Sequence, residues 1–224
     1  MDGNNISVVM ITMNEEAAIH KVIHDIKAVV PLAEIIIVDS SRDRTKEIAE
    51  SLGAIVIKQF PPKGYGRAMD LALRSASRDI IITLDCDDSY PVEMIPTLAA
   101  TLISKNLDVL DGCRLQRKPT AMPWINYIAN IFFARLASLL FFVNIRDLHS
   151  GMRAYKRTLL DKITYHPFGA ALPVELLLLP LKMGMNVDSI FIDYRERIGT
   201  STLHPLDSAW WTLKRILSCR FRKI

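Results

Sequence analysis

Three carboxylates, Asp85, Asp87 and Asp88, close an unbroken aliphatic run made of Ile80, Ile81, Ile82 and Leu84. Such a run has the composition of a strand buried on both faces, so the acids are delivered to a sheet edge. Asp85 and Asp87 lie two apart and can both reach one hard cation; Mg²⁺ or Mn²⁺ takes one or two carboxylates and completes its shell with phosphate oxygens. On these residues alone, turn formation and helix capping are an equal explanation of the acids, because Asp is a favoured cap. The neighbours add to the case. A second acid, Asp39, ends the run Glu34-Ile-Ile-Ile-Val, and the loop Pro61-Pro62-Lys63-Gly64-Tyr65-Gly66 places two glycines just before a helix that opens at Arg67. An acid for a base or ribose, a metal for a diphosphate and close backbone approach at glycines are what a nucleotide crevice needs. No G-x-G-x-x-G follows the first strand and no G-x-x-x-x-G-K-[ST] occurs, which disfavours a dinucleotide site and a P-loop.

The elements that must hold these residues follow from the apolar periodicity. Ile6 to Thr12 reads as a buried strand, and Asn14 as the cap of a helix whose face is Ile19, Val22, Ile23, Ile26 and Val30. Glu34 to Asp39 is a second strand, Thr45 to Leu52 a short helix closed by Gly53, and Ala54 to Lys58 a third strand. A helix from Arg67 to Ser75, the strand Asp79 to Asp85, a helix after Pro91 and a strand Val109 to Cys113 complete the regular part. This alternation predicts a doubly wound, mostly parallel α/β sheet with helices on both faces and the acids at the carboxyl ends of its strands.

Beyond Cys113 the character changes. Trp124 to Val143 is nearly all apolar but holds Arg135, Asn126 and Asn130. Burying that arginine at mid-bilayer costs roughly 2.5 to 3.5 kcal/mol on insertion scales, so a pair of amphipathic helices, packed on the domain or lying in a membrane interface, is expected rather than a span. Arg146 to Arg153 is a polar island. A helix from about Arg157, another from Leu172, a strand Asn186 to Tyr194 and a loop Arg195 to Thr202 follow it. Residues 1–205 are expected to form one catalytic domain that includes the amphipathic region 120–145, and residues 206–224 a basic amphipathic helix.

Half of the 224 residues are hydrophobic, enough for a substantial core, and the net charge is +4. From Leu206 onward one acid, Asp207, stands against Lys214, Arg215, Arg220, Arg222 and Lys223, so the basic character belongs to the tail. Its tryptophans, Trp210 and Trp211, with Leu213 and Leu217, suit a helix in a membrane interface. Cys86, Cys113 and Cys219 form no C-x-x-C pair, which fits a reducing compartment. No positive n-region precedes the first apolar run. The expected location is the cytoplasm, peripherally on the membrane face, with no nucleic-acid partner and either self-association or a separate anchoring protein.

Seven segments in order carry a family resemblance: Thr12-Met-Asn-Glu15, Ile37-Val-Asp39, Gly64-Tyr-Gly-Arg-Ala68, Leu84-Asp-Cys-Asp-Asp-Ser-Tyr-Pro91, Gly112-Cys-Arg114, Asp147-Leu-His-Ser-Gly-Met-Arg153 and Pro173-Val-Glu175. Over about residues 5 to 203 the chain resembles a family 2 glycosyltransferase of the GT-A fold, within it most closely the dolichyl- or polyprenyl-phosphate sugar transferases. The resemblance implies that Asp85 and Asp87 are metal ligands with Ser89 as a weaker third. It implies that Asp39 and the Thr12, Asn14, Glu15 turn hold base and ribose beside Gly64, Gly66 and Arg67, that Arg114 and Arg153 face phosphate, and that Arg197 and Ser201 close over the donor. The chain departs from the family pattern at Ser40, where a second acid is usual, at Arg44, where a glycine is usual, and at Thr202, where a lysine is usual.

The resemblance implies a nucleotide-sugar donor, Mg²⁺ or Mn²⁺, and inversion at the anomeric carbon. A phosphate acceptor is already anionic near neutral pH and needs only to be held, a task suited to arginine. A hydroxyl acceptor needs a base, for which Asp147 or Glu175 is the candidate. The absence of an acidic pair after the Val109 to Cys113 strand favours a lipid-phosphate acceptor. Two rivals are a sugar-phosphate nucleotidyltransferase, which lacks support because no glycine-rich loop with a lysine follows the first strand, and a non-catalytic membrane-associated scaffold.

Overall fold

The computed structural model describes residues 2–199 and 205–223. Its elements are β1 (Ile6–Thr12), α1 (Glu16–Val29), β2 (Glu34–Asp39), α2 (Thr45–Ser51), β3 (Ile55–Lys58), α3 (Tyr65–Ser75), β4 (Ile80–Thr83), α4 (Ile95–Ser104), β5 (Val109–Cys113), α5 (Trp124–Phe141), β6 (Arg153–Lys156), α6 (Leu159–Lys162), α7 (Leu172–Lys182), β7 (Val187–Phe191) and α8 (Pro205–Phe221), with a 3₁₀ turn at Val92–Met94. The strands form one seven-stranded sheet in the order β3-β2-β1-β4-β6-β5-β7.

Strict alternation along the central strands splits the core in two. Ile6, Val8, Met10, Ile35, Ile37, Ile80 and Ile82 face α1, α2 and α4, while Val9, Ile36, Val38 and Ile81 face α3, α7 and α8. Both faces being covered is why these strands read as continuous aliphatic runs. The four strands β3-β2-β1-β4 are mutually parallel, so their carboxyl ends, and the loops that follow them, line up on one edge.

Four expectations are corrected. The polar island ends in a strand: β6 lies antiparallel between β4 and β5, and Ala154 and Tyr155 are buried in it. Helix α1 begins at Glu16 without a side-chain cap; Asn14 adopts φ +61° and its Oδ1 instead accepts the Arg42 amide. The Trp124 region is one continuous helix, not a pair. Only Ala134 and Ala137 of α5 are buried, and it is long and apolar enough to cross a membrane by length and composition. Finally, α8 is not a free basic tail. Thr212, Arg215, Ile216 and Cys219 are buried against the domain, and Lys182 of α7 donates to the carbonyls of Cys219, Arg220 and Arg222. Two of the tail's cations, Arg215 and Arg222, pair with the buried Glu175 of α7.

Candidate active site

A crevice of about 390 Å³ runs along the carboxyl edge of the sheet. Its chemistry changes in the order of the strands beneath it. Thr12 from β1, Ser40 after β2, and Pro62 and Gly64 before α3 line one end; Glu15, Asp85, Asp87 and Arg197 line the middle; His149, Gly151, Pro173, Val174 and Thr212 line the far end. The middle is braced by its own backbone. The loop after β7 is sewn to the acidic loop where the Arg195 amide donates to the Ser89 carbonyl (3.0 Å) and the Ile198 amide to the Asp87 carbonyl (2.8 Å). Tyr90 joins the acidic loop to the far end by accepting the Gly151 amide (2.7 Å), and Thr83 donates to the Gly151 carbonyl (2.7 Å).

Three carboxylates share the middle with one cation. Arg197 lies 3.3 Å from Asp87 and 3.8 Å from Glu15. That is too little positive charge. Burial and the nearby acids push the Glu15 carboxyl up to about 7, and burial with the Asp87 charge lifts Asp85 well above the usual carboxylate range. Carboxylates so crowded fit a divalent cation, which would relieve the repulsion. Among the described residues no three His, Cys, Asp or Glu side chains gather into a closed metal site. Two aspartates would therefore leave coordination positions for water and phosphate oxygens, as Mg²⁺ and Mn²⁺ require at nucleotide sites.

The structure brings Thr12, Glu15, Gly64, Asp85, Asp87 and Arg197 to the crevice. Several other expected contacts are placed elsewhere. Asp39 is fully buried: its Oδ1 accepts from the Thr12 hydroxyl (2.8 Å) and the Ser41 amide (3.1 Å), and its Oδ2 from Lys58 (2.6 Å). It organises the end of β2 and is not presented to a base. Asn14 is used in the same way, on Arg42. Ser89 is fully buried with its hydroxyl donated to Asp87, so it fixes the orientation of that carboxylate and is not itself presented to the crevice. Arg67 leaves the crevice to stack on Phe168, 4.9 Å from the ring centre.

The two glycines differ. Gly64 has φ +91° with open space around it, the conformation a side chain resists. Gly66 is helical, and an added Cβ would meet the Pro167 carbonyl oxygen at 2.8 Å and that of Gly169 at 2.9 Å. Its role is to let the loop before α7 pack on α3.

The arginines are the largest correction. Arg153 is fully buried; its Nε donates to Asp111 (2.5 Å), and its terminal nitrogens donate to the carbonyls of Pro173 and Leu148. Arg114 forms a fork on Asp147 (2.8 and 3.0 Å) and reaches Tyr90 at 3.4 Å. Burial, the largest single influence, raises the Asp147 carboxyl, but the Arg114 charge, its side-chain hydrogen bonds and the amides of His149 and Arg114 together outweigh it and hold the group down at about 2. Asp147 is therefore a fixed anion and not a base. Ser201 lies outside the described residues.

Residues that sequence reasoning passed over include Tyr65, Tyr90, His149 and Thr212. Tyr90 sits inside the acidic motif and His149 inside the polar island, so their positions were marked even though their roles were not. Thr212 carries no local signal, because only the packing of α8 brings it to the crevice.

Comparison with known proteins completes the picture. The family profile described as Glycosyl transferase family 2 matches residues 7–164. The chain is 43% identical over 203 residues to the dolichyl-phosphate hexose transferase of Haloferax volcanii, covering 90% of this chain and 88% of that one. It is 32% identical over 168 residues to the undecaprenyl-phosphate 4-deoxy-4-formamido-L-arabinose transferase of Pseudomonas aeruginosa, covering 70% of this chain and 48% of that one. Its fold matches the crystal structure of glucosyl-3-phosphoglycerate synthase from Mycobacterium tuberculosis in complex with Mn²⁺, UDP and glucosyl-3-phosphoglycerate, with a TM-score of 0.76 at 24% identity over 96% of this chain and 80% of that one.

Proposed function

The chain belongs to glycosyl transferase family 2, and on that premise we propose that it transfers a hexose, with inversion, from a nucleotide diphosphate sugar to a polyprenyl phosphate such as dolichyl phosphate at the cytoplasmic face of a membrane. The observation that carries the acceptor is the state of three acids in the segments next to those that line the far end of the crevice, none of which lines the crevice itself. Asp147 is closed by Arg114, Asp111 by Arg153, and Glu175 by Arg215 and Arg222. A hydroxyl acceptor needs a general base in hydrogen-bond reach. With these three acids committed to arginines, and the acids that do line the crevice, Glu15, Asp85 and Asp87, gathered with Arg197 at the donor and metal position of this reading, an acceptor that is already ionised suits the site. A phosphate monoester has its second pKa near 6 and attacks without giving up a proton in the reaction. The identity to a dolichyl-phosphate hexose transferase supports the same substrate class.

The donor lies across the other end. Its diphosphate would rest over Asp85 and Asp87, which would hold the divalent cation; when bound, that ion neutralises the charge of the leaving nucleotide diphosphate. Glu15 and Arg197 flank this point, and Arg197 keeps one buried nitrogen, Nε, without a partner, spare capacity for a phosphate oxygen. With the leaving group above β1 and β4 and the acceptor entering from the side of β6, attack and departure occupy opposite ends of the crevice. In this reading the acceptor attacks from the side opposite the leaving group, which would invert the anomeric carbon.

The membrane contact in this reading is α5, where Trp124, Ile125, Ile128, Phe132, Leu139 and the following Phe142 are exposed. The test is transfer from a panel of UDP- and GDP-sugars with Mn²⁺, comparing a polyprenyl phosphate with the matching polyprenol. The phosphate is expected to be glycosylated and the alcohol not, and Asp85→Asn or Asp87→Asn to lose about two orders of magnitude or more in rate, as loss of a metal ligand does. Equal rates on both acceptors would refute the phosphate reading.

A further inference from the structure

The far end of the crevice is short of groups that could hold a phosphate. Arg114 and Arg153 are committed to Asp147 and Asp111, and Arg197 stands at the acidic centre. What the far end does present is an imidazole. His149 lines the crevice beyond Asp85 and Gly151. Its Nε2 is 2.8 Å from the Thr212 hydroxyl of α8, and its ring meets Phe133 of α5 edge-on, with centroids 5.8 Å apart and planes at 74°. The ring is thus held from two sides by α5 and α8, both of which expose large apolar residues. Its other nitrogen, Nδ1, is buried and has no hydrogen-bond partner. Buried polar atoms are normally paired, and one left unpaired at the wall of a ligand crevice is a position for a ligand atom.

We propose that His149 receives the acceptor phosphate, its Nδ1–H donating to a phosphate oxygen while Nε2 accepts the Thr212 hydroxyl proton. This deepens the phosphate-acceptor reading above and rests on it. The Thr212 hydroxyl can donate or accept; when it donates to Nε2 the proton rests on Nδ1, the tautomer that an anionic phosphate oxygen at Nδ1 would select. Burial pulls the His149 pKa down to about 4, so the ring works as a neutral donor near pH 7. Because Phe133 and Thr212 hold the ring between α5 and α8, a polyprenyl chain whose phosphate reached Nδ1 would leave the crevice toward those helices.

The amide of Asn can stand in for Nδ1 and that of Gln for Nε2, which separates hydrogen-bonding from packing. With farnesyl phosphate as acceptor, His149→Gln is expected to raise the acceptor KM about tenfold or more, the loss of one charge-assisted hydrogen bond, with donor KM little changed. His149→Asn is expected to stay within about threefold of wild type. An unchanged acceptor KM in His149→Gln overturns the assignment. So does an equal rise in donor and acceptor KM in both variants, the mark of a merely structural role. Calorimetric titration of the wild type with farnesyl phosphate and farnesol separates the two levels. Equal binding of both removes the phosphate reading and His149's role with it; binding that requires the phosphate and is undiminished in His149→Gln removes the role of His149 alone.

Discussion

Replacing Arg153 by alanine should unfold the protein before it disturbs the acceptor. In the folded chain this side chain has no exposure and spends its guanidinium on Asp111 and on the carbonyls of Pro173 and Leu148. The substitution leaves a carboxylate with almost no exposure and without its cation, and breaking a buried pair in this way costs about 3 to 5 kcal/mol. For a chain of this size each kcal/mol moves the melting temperature by about 2 to 4 °C, so a fall of roughly 6 to 20 °C is expected by calorimetry. The pH dependence is diagnostic. Burial already raises the Asp111 carboxyl above its ordinary range, with the Arg153 charge opposing the rise, so removing Arg153 must raise it further. An acid whose folded pKa lies above its unfolded value loses stability as pH climbs from the unfolded value toward the folded one. The variant's deficit should therefore be smaller near pH 5 than near pH 8. A double variant, Asp111→Asn with Arg153→Met, should recover most of the loss, because it leaves no buried charge. A variant Arg153→Ala that melts within about 2 °C of wild type while its acceptor KM rises would refute this reasoning and return Arg153 to the crevice.

Deleting residues 206–224 should abolish soluble, active enzyme, because it uncovers the core around Ile216 and Cys219 and strips Glu175 of Arg215 and Arg222; a truncated protein that still hydrolyses the sugar nucleotide would show α8 to be dispensable. Gly66→Ala should cost about 1 to 3 kcal/mol in urea unfolding, since its new Cβ meets two carbonyl oxygens. Gly64→Ala should cost about 1 to 3 kcal/mol through its backbone alone, because φ +91° with ψ 159° is a region essentially only glycine adopts. Ile128→Ser, Leu139→Ser and Phe142→Ser together should reduce flotation with liposomes while leaving the melting temperature within a few degrees, because all three are exposed; undiminished flotation would move the membrane contact off α5.

Much of the fold was legible because β1, β2 and β4 are largely aliphatic runs buried on both faces. β6 was not. Arg153-Ala-Tyr-Lys156 holds two cations in four residues, and it enters the core only because Asp111 on the neighbouring strand neutralises the first of them. The same pairing explains the misplaced site residues. An arginine facing a phosphate and an arginine facing a distant aspartate look alike in one dimension, and so do an acid offered to a ribose and one, Asp39, already held by Thr12, Ser41 and Lys58. The acidic centre was legible because Asp85 and Asp87 are local to each other. His149 and Thr212 are brought together across 63 residues by the docking of α8, which no local pattern records.

The position of β6 also sets an order of assembly. β1, β2, β3 and β4 can zip together from neighbouring βα units as they emerge from a ribosome, each parallel to a strand already made. β5 cannot join them. Both its partners, β6 and β7, lie later in the chain, and β6 must pair backward to β4 across about 70 residues, a closure that lengthens the search. Until that strand arrives, a nascent chain carries β5 with two open edges next to the exposed apolar length of α5, an invitation to aggregate that a chaperone or an early membrane encounter would have to answer. The arginine that opens β6 then closes the seam, because its partner Asp111 sits on β5.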